Sequence, residues 1–216
     1  MMDRAKLPEW FRDDDESRTR FWKECCQKYL PQEPSNPVML SGKEIIRVRD
    51  IEACIAAGKP YEDTYQYDGR NIPERCLTGG LGERSFEIYM GWEKGKVLDP
   101  RVGSNRDFHH ADIGDLGAGV KASRIGLCPM VPISPKDGER LTSQVICIVG
   151  KHSYRMKFPE YERVWILGLA TPEVLQRYSD PRLIENSEAR RGTKYGFWGF
   201  EHLRKPSCDS LDWLKP

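Results

Sequence analysis

The 216-residue chain has no apolar stretch long enough to cross a bilayer as a helix. Its longest apolar runs, Val145–Val149 and Val164–Ala170, are strand-sized. It has almost no charge excess: 34 Lys+Arg against 33 Asp+Glu leave +1, so bulk charge alone does not hold it to nucleic acid, although a local basic groove is permitted. It has no CxxC pair and no finger-like Cys/His spacing among its seven cysteines, which excludes a zinc-finger framework. The first residues, Met1-Met2-Asp3-Arg4-Ala5-Lys6, lead into no apolar core. A secretory leader is therefore not expected, and free thiols in a reducing, cytoplasmic setting are. No internal repeat or low-complexity segment stands out.

What is present suits a globular domain with a polar surface. Hydrophobic residues make up 38% of the chain and six are Trp, enough for a packed core at this length. Residues 1–75 read as a helical N-terminal extension. Ser17 is a candidate cap for a helix to about Leu30, with Phe21, Cys25 and Tyr29 as its stripe. Pro31, Pro34 and Pro37 stop it. A second helix is expected after Asp50, ending at Gly58-Lys59-Pro60. Residues 60–80 read as a loop, with Gly79-Gly80-Leu81-Gly82 as a flexible turn into a helix from Glu83 to Trp92.

Residues 76–216 read as an α/β (α+β) core with a mixed central sheet flanked by helices. Expected strands are 107–113 and 118–123, joined by Gly114-Asp115-Leu116-Gly117, then Gln144–Val149 and Arg163–Leu169. Thr171-Pro172-Glu173 is a helix start, with a cap, a first-turn proline and an acid at the positive end of the dipole.

The chemistry-bearing stretch is Asp112 followed by Lys121 across a glycine-rich turn, with Glu83 and Glu87 on the preceding helix. A carboxylate at a strand end holds a divalent cation. A lysine on the adjacent strand orients a water or steadies a phosphate. Glutamates four apart share a helix face, so either Glu83 or Glu87 is a candidate third group.

This order of elements resembles the PD-(D/E)xK, or restriction-endonuclease-like, nuclease superfamily. The resemblance rests on Gly82-Glu83, Ala111-Asp112 and Gly119-Val120-Lys121-Ala122-Ser123, and spans roughly residues 79–180. It implies a restriction-endonuclease-like core and Mg²⁺- or Mn²⁺-dependent hydrolysis of DNA phosphodiester bonds, with endonuclease action and a homodimer as one way to cut both strands. Asp112 would ligate the metal, Glu83 or Glu87 would add an oxygen, and Lys121 would position the attacking water. The family's second acid, two residues before the lysine, is here Gly119, and Ala111 stands where a proline is usual. A helix glutamate or Asp115 is the expected substitute. The alternative is a catalytically degenerate fold that binds DNA, or a phage-type structural or interaction protein. A cysteine-nucleophile enzyme is a third reading.

His109-His110 do not chelate one ion easily, because neighbours on a strand face opposite ways. By the period of two, His110 shares the face of Asp112 and is a candidate proton carrier. Arg190, Arg191 and Lys194, followed by Tyr195, Phe197, Trp198 and Phe200, mix cations with rings. The cations are candidates for the DNA backbone, and most of the rings read as core. Lys151 belongs to a second basic loop.

Overall fold

A computed structural model describes residues 4–30, 36–57, 72–93, 97, 113, 117–133, 141–150, 161–184 and 194–215. Its centre is a four-stranded mixed sheet. Strands β1 (Val38–Ser41), β2 (Ala118–Arg124), β4 (Ser143–Val149) and β5 (Tyr161–Ala170) lie in the order β1-β5-β4-β2. Pairing is antiparallel except between β2 and β4, which run parallel. Every residue of β4 is buried, as its unbroken apolar run requires of a strand covered on both faces. A second, antiparallel sheet of β3 (Met130–Pro132), β7 (Lys194–Phe197) and β6 (Ser179–Asp180) has the order β3-β7-β6. The mixed sheet with helices agrees with the α/β expectation.

Helices α2 (Gly42–Ala57) and α3 (Ile72–Tyr89) pack on each other, and α3 lies on one face of the central sheet. Leu40, Ile45, Val48, Leu77, Leu81, Phe86, Val120, Val145 and Cys147 belong to this first core. Trp213 closes it edge-on against Phe86, with ring centroids 6.0 Å apart. The second core holds Ile146 and Ala170 from the central sheet, Leu175 of α4 (Pro172–Arg177), Val131 and Phe197 of the second sheet, and Phe11, Phe21 and Cys26 from the N-terminal segment.

Helix α3 differs from the sequence expectation. It begins at Ile72, and Gly79, Gly80 and Gly82 lie inside it rather than in a turn. Gly80 and Gly82 serve close approach. A Cβ on Gly82 would lie 2.5 Å from Ala122 Cβ on β2, and one on Gly80 would lie 2.5 Å from Oε1 of the buried Glu52 on α2. Each glycine costs about 1 kcal/mol of helix propensity relative to alanine, which close packing offsets at Gly80 and Gly82. From Cys76 to Glu87 only Gly79 is not buried, so this stretch of α3 has no solvent face for periodicity to reveal.

Other boundaries moved for local reasons. Helix α1 (Asp15–Phe21) is capped by Asp14, whose Oδ1 accepts from Ser17 N at 2.7 Å, not by Ser17. A π-helical turn over Trp22–Cys26 adds a residue to the repeat and turns Cys26, rather than Cys25, fully inward. Helix α2 starts at Gly42, well before the expected start after Asp50; Ser41 Oγ accepts from Glu44 N at 3.4 Å, the Ser-x-x-Glu start pattern. Strand β1 pairs with β5 in the central sheet, α2 packs on α3, and α3 runs through residue 75. Gly168 has φ 144, and Arg204 O lies 2.3 Å from where its Cβ would be; the two Leu169–Arg204 backbone bonds, both 3.0 Å, depend on that bare position.

Gly82→Ala is expected to lower unfolding free energy by about 1–3 kcal/mol by overpacking the α3–β2 contact. Gly79→Ala, which meets nothing within 4 Å, is expected to raise it by about 0.5–1 kcal/mol. Urea denaturation of both variants checks the pair.

Candidate functional site

Strand β2 presents its residues alternately to the two faces of the sheet. Ala118 and Val120 lie in the core under α3, and Ala122 packs against it. Gly119, Lys121 and Ser123 therefore point to the other face. Their neighbours agree: Gly119 abuts the Gln144 side chain, and Lys121 is in register with Ile146 of the second core. Ser123 donates to Leu127 O at 3.1 Å. Lys121 is half-buried.

The helix glutamates belong to the opposite face. Glu83 is 7% exposed and lies close enough to Cys147, in the first core, for its charge to act on that thiol. Glu87 is fully buried in an ion-pair network. Its Oε2 accepts from Arg84 Nη1 at 2.7 Å and its Oε1 from Val97 N at 2.8 Å. Arg84 also donates to both Glu44 oxygens on α2, at 3.0 and 3.4 Å. Burial alone would lower the pKa of Arg84, but the hydrogen bonds to Glu44 and Glu87 outweigh it and raise it, so the guanidinium is charged at any working pH. Arg84 thus ties α2 to α3. Sequence spacing had grouped Glu83 and Glu87 with Lys121, but α3 and β2 place the glutamates and the lysine on opposite sides of the sheet.

Of the other expected site residues, Asp112, Asp115, His110, Lys151, Arg190 and Arg191 lie outside the described residues, and Lys194 is described only as part of β7. Ile113, next to Asp112 in the chain, donates from N to Ala118 O at 2.9 Å in an antiparallel bridge, so the chain at Ile113 meets the first residue of the Lys121 strand. Among the described residues no group of three or more His, Cys, Asp or Glu is placed to hold a metal ion. No helix among them is long and apolar enough to cross a membrane.

Two features escaped the sequence reading. Gln144 of β4, 2% exposed, turns its amide toward Gly119; its Nε2 donates to Thr142 O and Oγ1 at 3.2 and 2.8 Å, and its Oε1 has no hydrogen-bond partner among the described residues. No spacing rule links 144 to 119; parallel pairing alone makes them neighbours. Tyr178 and His202 stack with ring centroids 4.1 Å apart at 24°, and the Arg177 guanidinium lies 5.6 Å from the Tyr178 ring. These residues are adjacent because β6 and β7 bring the two loops together.

Three of the cysteines are poor nucleophiles. Burial, with Glu83's charge behind it, pushes the Cys147 thiol up, and burial with Cys25's does the same to Cys26. Cys25 is raised by burial and by Glu24. No family model, no curated protein and no solved structure matches the chain.

Arg84→Met is expected to cost about 3–5 kcal/mol in urea denaturation, since it withdraws the cation from buried carboxylates. Thiol labelling at pH 8 is expected to modify exposed Cys208 within minutes, while Cys26 and Cys147 stay protected until denaturant is added, as mass spectrometry of the labelled peptides would read.

Proposed function

We propose that the chain is a nucleic-acid-binding protein with a nuclease-like α/β core in which hydrolysis has lapsed. The observation that carries this reading is the division of charge across the sheet. A hydrolytic site needs several hard oxygens around its cation and a positive group beside the developing charge, all in one pocket. Here Glu83 and Glu87 sit with α3, Glu87 already holds Arg84 and Val97 N, and Lys121 stands on the other face beside an acid-free Gly119. A lysine that forms no ion pair among the described residues suits a phosphate directly.

The binding half of the proposal draws on the surface of the second sheet. Tyr178 and His202 offer stacked rings, with exposed Arg177 and Lys205 nearby in the chain. Flat rings beside cations suit the bases and phosphates of a nucleic acid strand. Segment 182–205 carries six Lys/Arg against three Asp/Glu, a local basic excess in an otherwise balanced chain.

One observation favours a second reading, the metal-dependent endonuclease. The Ile113–Ala118 bridge brings the residue after Asp112 against the strand of Lys121. In that reading Asp112 and Lys121 act with Mg²⁺ or Mn²⁺ and without the helix glutamates.

A gel shift with plasmid or single-stranded DNA in EDTA, and no nicking of supercoiled plasmid in Mg²⁺ or Mn²⁺, is the expected result. Lys121→Ala should weaken the shift several-fold and reduce the slope of log affinity against log salt by about 1. Nicking that disappears in both Asp112→Ala and Lys121→Ala would replace this reading with the endonuclease. Neither shift nor nicking would remove both.

A further inference from the structure

We infer that the Tyr178–His202 stack is the seat of one unpaired base, with Arg4 and Arg177 on the flanking phosphates, so that this surface takes a single strand rather than a duplex. The inference deepens the nucleic-acid-binding reading and rests on it. The two rings lie at 24° with centroids 4.1 Å apart, and the His202 side chain is 37% exposed. With one face against Tyr178, the imidazole keeps its other face and its edges for solvent. A column of two rings that ends in an open face is extended by a third, and every nucleobase brings a flat π-face of that kind. Bases inside a duplex are stacked on both faces and offer only their edges, so the open ring selects an unstacked base.

The column is built before any ligand arrives. Tyr178 N donates to Val174 O at 3.0 Å, and Tyr178 O accepts from Trp198 N at 3.0 Å. The Trp198 ring stands edge-on to Tyr178 at 6.2 Å and 85°. His202 N donates to Gly199 O at 3.1 Å. A Cβ on Gly199 would lie 2.7 Å from Tyr178 Cβ, so the bare residue lets the two loops close on each other. A seat held this way loses little freedom when a base lands on it.

The N-terminal segment places the cations. Ala5 N donates to Arg177 O at 2.8 Å, which sets Arg4 beside the end of α4. Arg4 Cζ lies 4.9 Å from the Tyr195 ring centroid, and Arg177 Cζ 5.6 Å from that of Tyr178. Both arginines are exposed, and neither forms an ion pair among the described residues. A guanidinium resting on a ring keeps its N–H edge for phosphate oxygens. Glu201 Oε1, 3.5 Å from His202 Nε2, puts an anion at the nitrogen side of the column and turns a phosphate toward the arginines.

Fluorescence anisotropy in EDTA with a labelled oligothymidylate, alone and annealed to oligoadenylate, tests this. The single strand should bind about tenfold tighter than the duplex, and His202→Ala should weaken its binding about tenfold with the salt slope unchanged. His202→Phe, which restores a ring, should recover most of that loss. Arg4→Ala should instead lower the slope of log affinity against log salt by about 0.7. Equal binding of the two probes, unaltered binding by His202→Ala, His202→Phe no better than His202→Ala, or competition by thymidine monophosphate as strong as by the strand would overturn the inference. A protein that binds both probes alike and loses affinity only in Lys121→Ala keeps the nucleic-acid reading and discards this seat. One that binds neither probe removes that reading and the seat with it.

Discussion

The approach of Gly82 on α3 to Ala122 on β2 governs the arrangement of this molecule. A side chain on either partner larger than the one present would hold helix and sheet apart. With the contact made, the parity of β2 is settled: even-numbered residues face α3 and odd-numbered ones face away. Lys121 is odd. Its separation from Glu83 and Glu87 is therefore a consequence of how the helix is seated.

The same seating explains the buried charge. Bringing α3 close to the sheet and α2 close to α3 removes Arg84, Glu44 and Glu87 from water together. Such groups are tolerated inside a protein when they are paired and hydrogen-bonded, and here one guanidinium serves a carboxylate on each helix. Glu87, which suggests metal ligation when read along the helix, is in three dimensions one of the two anions that neutralise this arginine, Glu44 being the other. On the other face, parallel pairing sets Gln144 against Gly119, and its amide takes the space that any side chain at 119 would need.

Much of the fold was legible along the chain. The apolar runs of β4 and β5, the strand after Gly117 and the Thr171-Pro172 start of α4 emerge close to where their patterns put them, because each is specified by adjacent residues. The first half of α3 was not legible. Its glycines mimic a turn, and its all-round burial erases the period that marks a surface helix. Strand β1 was hidden as four residues after a proline-rich stretch, stabilised by pairing with β5 at least 120 positions away. The start of α2 was available in Ser41-Gly42-Lys43-Glu44 and passed unread.

By itself the sequence determined a mixed α/β core, the strands with continuous apolar runs, and the Thr171-Pro172 start of α4. Local sterics and hydrophobic pattern suffice for these. Only the tertiary structure decided which face each charge occupies, that Arg84 claims Glu87, and that Gln144 closes position 119. Those outcomes turn on strand parity, strand register and the distance at which a helix settles on a sheet, and each is fixed by contacts between residues far apart in the chain.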